Sequence, residues 1–314
     1  MDKPLWMWAV FFGVITALLA LDLGVLHKKD HAIGIRESLI YSAGYIFIGL
    51  LFGFWVWYTL DIPSAQLYWT GYLVEKPLSL DNIFVISMIF SYFAVPRQYQ
   101  HRVLFWGILG VIILRGIMIG VGAELVSRFH WVLYLFAAFL IFTGIKMLFL
   151  AGDEKPDVAK NPVVKLAKKY LPVTEHLHGH NFTVIENNKL YFTPLLLTLV
   201  VVECLDIVFA VDSVPAILAL TTDGYLVYTS NIFAILGLRA LYFALDAILH
   251  RFKYLKYALA VVLVFIGSKV FIVDILDLEK FPPALSLGIV VSILAAGILY
   301  STHKTRGRTI ADRN

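Results

Sequence analysis

The sequence predicts an all-α integral membrane protein with about nine transmembrane helices and an inverted three-helix repeat. Three observations carry that prediction. Of the 314 residues, 60% are hydrophobic and only 15% are charged. Apolar runs of spanning length succeed one another along the chain, and the third to fifth runs resemble the sixth to eighth. A soluble domain is nearer half apolar and a quarter charged. A chain this apolar cannot cover its surface with polar groups and needs lipid as a second solvent. The same composition excludes disorder.

A helix crossing the hydrocarbon core takes about 20 residues. The candidate spans are residues 5–26, 38–60, 67–95, 103–126, 131–150, 193–220, 225–249, 255–275 and 281–302. The opening run lacks a short apolar stretch followed by a small-residue cleavage site, so it reads as an uncleaved first span. The first, second and ninth spans are almost free of charge, whereas the six between them carry ionisable residues inside. Breakers such as Asp61-Ile62-Pro63, Val95-Pro96 and Thr222-Asp223-Gly224 mark the joins. Residues 151–192, rich in Lys, His, Asn and Pro, read as one long cytoplasmic loop. The chain 1–314 is thus expected to form a single transmembrane domain.

The basic residues set the orientation. One side carries Lys3, Arg128 and Lys280; the other carries 18 Lys and Arg, or 12 without the long loop. The positive-inside rule therefore places the N-terminus outside and the C-terminus in the cytoplasm. Trp6, Trp8, Trp55, Trp57, Trp69 and Trp131 fall near the expected outer ends, as an interfacial aromatic belt requires. The net charge of +4 is spread over short loops with no basic face for a phosphate backbone, so no nucleic-acid partner is expected. Cys204, the single cysteine, leaves no thiol pair for a disulfide or a zinc site.

The repeat covers residues 67–150 and 193–275. Phe142-Thr-Gly-Ile-Lys146 matches Phe265-Ile-Gly-Ser-Lys269, and Ile108-Leu-Gly110 matches Ile235-Leu-Gly237. Arg115 and Arg239 follow the second pair, and Asp81-Asn82 corresponds to Asp212-Ser213. A unit of three spans makes its copies cross in opposite senses, the arrangement that builds midplane sites in secondary transporters.

Glu75, Asp81, Glu203, Asp206 and Asp212 all lie at membrane depth in the third and sixth spans. Each charge at a helix centre costs about 2.5–3.5 kcal/mol. Five uncompensated ones would cost on the order of 12–18 kcal/mol, the stability of a whole domain. Arg115 and Arg239 are expected to balance charge, but two cations cannot neutralise five acids. The surplus points to a bound cation, with protons as an alternative occupant. Glu203 and Asp206 share a helix face, whereas Glu75 and Asp81, six residues apart, diverge by about 120° on a regular helix. Pro77 and Pro215 are expected to break their helices, bringing the acids together and freeing carbonyls. Carboxylates with Ser79, Asn82 and Ser213 are hard oxygen donors suited to Mg²⁺, Ca²⁺ or Mn²⁺. The expected metal set is Glu75, Asp81, Asn82, Glu203, Asp206, Asp212 and Ser213. The loop run His176-Leu-His178-Gly-His180 is a secondary metal candidate.

Glu75-Lys-Pro-Leu-Ser-Leu-Asp-Asn-Ile-Phe84, Glu203-Cys-Leu-Asp-Ile-Val-Phe-Ala-Val-Asp-Ser-Val-Pro-Ala-Ile217 and Asn231-Ile-Phe-Ala-Ile-Leu-Gly-Leu-Arg-Ala240 give the chain a family resemblance. It resembles the TerC family of bacterial integral membrane proteins, in particular the Alx branch, over nearly its whole length. The resemblance implies export of Mn²⁺ across the bacterial inner membrane, with the five acids as the ion path. On that reading the ion is a substrate, no cofactor is permanently bound, and the protein is not an enzyme. Relatives also carry the labels tellurium resistance and membrane-bound redox modulator, which leaves a stress-resistance or redox role without transport as the alternative.

Overall fold

Apolar runs bounded by Pro, Gly and Asp fold into nine α-helices among the described residues of this computed structural model. The structure describes residues 3–22, 34–149, 172–174, 177–186, 189–245, 255–277 and 281–311. Within these, the side chains of Leu80, Asp81, Phe84, Glu186, Asp212, Leu238, Arg239, Ala240, Leu245 and residues 305–311 fall outside the description. The helices are α1 (Leu5–Leu21), α2 (Ile35–Thr59), α3 (Ile62–Tyr92), α4 (Arg97–Arg128), α5 (Trp131–Phe149), α6 (Pro194–Leu218), α7 (Gly224–Leu245), α8 (Leu255–Ile275) and α9 (Pro283–Ala311). Of these, α2, α4, α5, α6, α8 and the Pro283–Lys304 part of α9 are long and apolar enough to cross a membrane. α1 and the first part of α7 are apolar but shorter, and α3, with its interior charges, falls outside that set.

Side chains at the joins start the helices. Asp61 Oδ1 accepts from the Ser64 amide at 2.6 Å, and Asp223 Oδ1 accepts from the amides of Tyr225 and Leu226 at 3.1 and 3.3 Å. Thr193 Oγ1 accepts from Leu196 at 3.5 Å, with Pro194 opening the helix. Each satisfies amides that a helix start leaves unpaired. The expected breaks at Pro77 and Pro215 do not occur: α3 and α6 run through both prolines. One missing donor leaves the rest of the i to i−4 ladder in place, and packing against neighbouring helices holds it there.

Two kinds of packing organise the bundle. Phe11 of α1, Phe52 of α2, Tyr68 of α3 and Tyr225 and Phe233 of α7 form a buried aromatic cluster. Its hydroxyls reach backbone carbonyls: Tyr68 donates to Gly49 at 2.9 Å and Tyr225 to Met7 at 3.3 Å. Elsewhere α5 and α8 meet backbone to backbone. A Cβ at Gly144 would lie 2.7 Å from the Ala260 carbonyl, and one at Gly267 would lie 2.6 Å from that of Ala137. The contact is reciprocal, since Gly144 to Gly267 and Ala137 to Ala260 span the same interval of chain. Outward-facing Phe47, Ile113, Leu135, Phe142 and Phe149 stay exposed, as lipid-facing side chains would.

The expected long loop ends in structure. Strands β1 (Thr183–Glu186) and β2 (Lys189–Phe192) pair antiparallel, with Val184 opposite Tyr191. Four-residue strands give too little alternation to stand out in a polar stretch. Leu177 and Phe182 pack against the apolar cluster of Ile83, Val95, Leu104 and Tyr242. Thr193 Oγ1 ties this segment to α6 by donating to Asn181 O at 2.7 Å. Residues 151–171 and His176 lie outside the described residues.

Candidate functional site

The polar centre of the bundle is built around Arg115, 1% exposed on α4. Its guanidinium needs anionic or carbonyl partners, because an unpaired buried charge costs several kcal/mol. Its Nη1 donates to Glu75 Oε1 on α3 at 2.7 Å, Ser213 Oγ on α6 at 2.8 Å and Asn231 Oδ1 on α7 at 3.0 Å. Its Nε stands 3.5 Å from Asp206 Oδ2 on α6. Ser79, one turn beyond Glu75, donates to the same Oε1 at 3.1 Å. By helical rise, Glu75 lies about 20 Å from the start of α3 and Arg115 about 27 Å from the start of α4. Both positions are near the middle of their helices.

The pairing is incomplete. Glu75 Oε2, Asp206 Oδ2, Asn231 Nδ2 and both Glu203 oxygens are buried without a hydrogen-bond partner. Glu203 lies one turn from Asp206, against the glycine-lined face of α4: a Cβ at Gly107 would sit 3.2 Å from its Oε1, and one at Gly110 would overlap the carboxyl group. The repeated Ile-Leu-Gly motif is used a second time at Gly237, where a Cβ would meet Lys76 Nζ at 2.5 Å. That ammonium donates to the Ala234 carbonyl at 2.8 Å and lies 5.4 Å from the centre of the Tyr72 ring. Next to Arg115 is a cavity of about 70 Å³, lined by Ser79, Asn82, Asp206 and apolar side chains such as Leu104 and Tyr242. It has room for a small ion and a few waters.

Of the residues expected at the site, the structure brings Glu75, Ser213 and Asp206 to Arg115. Asn82 and Asp206 line the cavity, and Glu203 sits one helical turn away. The Asp81, Asp212 and Arg239 side chains lie outside the described residues. Among the described residues no group of three or more Asp, Glu, His or Cys is arranged to hold a metal ion. His178 and His180 sit in the segment before β1. Cys204, between Glu203 and Leu205, is half-buried and free. Sequence reasoning missed Asn231 and Lys76 as members of the polar core. The signal for Asn231 was an amide, fully buried here, inside an otherwise apolar span.

Six helices among the described residues that are long and apolar enough to span, in one bundle with a buried ionic centre, mark a multi-pass integral membrane protein. The model of the integral membrane protein TerC family matches residues 60–309, and the chain belongs to that family. It is 47% identical over 306 residues to an uncharacterized membrane protein of Rickettsia bellii, covering 98% of this chain and 99% of that one. It is 46% identical over 306 residues to one from Myxococcus xanthus, covering 98% and 95%. A protein of Escherichia coli O6:H1 named "Putative membrane-bound redox modulator Alx" is 46% identical over 298 residues, covering 92% and 91%. No solved structure matches the chain.

Proposed function

We propose that this protein is a carrier that exports a divalent cation, Mn²⁺, from the cytoplasm across the bacterial inner membrane. It is not an enzyme on this reading, and the ion is its substrate. The observation that carries it is that Glu75 Oε2, Asp206 Oδ2 and both Glu203 oxygens are buried without a hydrogen-bond partner, with one guanidinium, Arg115, set against Glu75 and Asp206. Carboxylates held in that state attract a cation or a proton. Their oxygen chemistry suits Mn²⁺, Mg²⁺ or Ca²⁺, and proton exchange supplies a driving force because the same acids can bind either.

The proposed topology has nine spans, the N-terminus outside and the C-terminus in the cytoplasm, as the distribution of Lys and Arg favours. The reciprocal contacts of Gly144 with Ala260 and of Gly267 with Ala137 support an inverted repeat, because a two-fold operation exchanges those two contacts. Asp81 and Asp212 complete the proposed ion path, with Arg239 as a second charge balancer. The test is reconstitution into liposomes that enclose a Mn²⁺-quenched dye. Wild-type protein is expected to move Mn²⁺, and Asp206→Asn and Glu75→Gln to lose most of that rate. Equal rates in all three would remove the proposal.

The name carried by the Escherichia coli relative supports a second reading, redox modulation without transport. It predicts a bound chromophore in the absorption spectrum of the purified protein, or a phenotype that depends on Cys204. A stress-resistance role such as tellurium tolerance predicts that deleting residues 151–192 matters more than altering the buried acids.

A further inference from the structure

Three oxygens from three helices converge on one atom. Arg115 Nη1 has Glu75 Oε1 at 2.7 Å, Ser213 Oγ at 2.8 Å and Asn231 Oδ1 at 3.0 Å. A terminal guanidinium nitrogen carries two hydrogens, so it cannot serve three acceptors with good geometry. An arginine that locks a carboxylate usually grips both oxygens with its fork. Here the second oxygen, Glu75 Oε2, is buried and left without a partner. A carboxylate, a hydroxyl and an amide carbonyl around one point form the donor set of a hard cation. Glu75, Ser213 and Asn231 are 0%, 2% and 0% exposed, so bulk solvent does not screen the carboxylate.

We propose that the point held by Arg115 Nη1 is the cation position itself, and that Asn231 is a ligand to the travelling ion. The guanidinium is a tethered stand-in that the ion displaces. This rests on the transport reading above. Displacement needs somewhere for the guanidinium to go, and the structure provides it: Asp206 lies 3.5 Å from Nε, and both residues border the cavity of about 70 Å³. Withdrawing toward Asp206 keeps the arginine paired while Glu75 exchanges one cation for another. The second Glu75 oxygen then becomes available for bidentate coordination. When the ion leaves, the arginine returns, so neither state holds an uncompensated Glu75.

The test measures Mn²⁺ binding to purified protein in micelles, from the loss of the free-ion electron paramagnetic resonance signal. Asn231→Asp, which puts a charged oxygen at the ligand position, is expected to tighten binding about tenfold. Asn231→Leu is expected to weaken it about tenfold. Arg115→Met, lacking the internal competitor, is expected to bind Mn²⁺ more tightly while turning over more slowly in liposomes. Wild-type affinity in both Asn231 variants overturns the proposal, as does weaker binding in a monodisperse Arg115→Met protein. Should Arg115→Met not fold, the Asn231 pair decides alone. If the wild type transports Mn²⁺ but the Asn231 variants bind it normally, only this inference falls. If the wild type neither binds nor moves Mn²⁺, the transport reading falls with it.

Discussion

Replacing Gly110 with alanine adds one methyl group to α4, and its effect depends on what Glu203 does. In a helix interior the exchange alone stabilises by about 0.5–1 kcal/mol. In this bundle the new Cβ would overlap the carboxyl carbon of Glu203 and both its oxygens. That carboxyl has to shift, and its burial and the approach of Gly107 on the same face of α4 limit where it can go. Overpacking of this kind costs about 1–3 kcal/mol, more than the backbone gain, so Gly110→Ala is expected to destabilise by about 0.5–2 kcal/mol. In a Glu203→Ala background the obstacle is gone and only the gain remains, so the sign reverses. The coupling is then about 1–3 kcal/mol, within the range that double-mutant cycles report for touching residues. Equilibrium unfolding in mixed micelles, followed by tryptophan fluorescence, measures all four proteins. Gly120→Ala is the control, because nothing lies within 4 Å of its added Cβ, and it should show only the gain. The same effect of Gly110→Ala in both backgrounds would refute the packing of Glu203 into the α4 notch.

Gly144→Leu should force α5 and α8 apart, because the backbone of Ala260 and Val264 lies where its side chain begins. A loss of about 3 kcal/mol or more is expected on unfolding in micelles, against no loss for Gly288→Ala, which faces open space. Thr193→Val removes the N-cap of α6 and the hydroxyl's bonds to Asn181 and Phe182. It should cost about 1–2 kcal/mol and speed proteolysis within the 177–192 segment. Cys204→Ser should leave Mn²⁺ efflux unchanged, since the thiol is a lone half-buried group; lost efflux would shift weight to the redox reading.

Much of the architecture could be read from residue pattern. Apolar runs announce the helices because lipid offers no partner for a bare backbone, which must bond to itself. Asp61, Thr193 and Asp223 mark helix starts because their side chains accept the amides a helix leaves open. Arg115 as a charge balancer followed from counting charges in a low-dielectric core, and it is paired with Glu75 and lies near Asp206. The helix breaks did not follow, because proline's local penalty says nothing of the packing that keeps α3 and α6 continuous.

Sequence alone determined that the chain lives in lipid and where its helices lie. These depend on composition and local spacing, and both are complete before any helix meets another. Only the tertiary structure decided that one nitrogen of Arg115 gathers oxygens from α3, α6 and α7, residues 40, 98 and 116 positions away along the chain. It also decided that Asn231 joins them and that Glu203 rests on glycines instead. Distances between side chains on different helices depend on how the helices cross, and no periodicity within one helix encodes that angle.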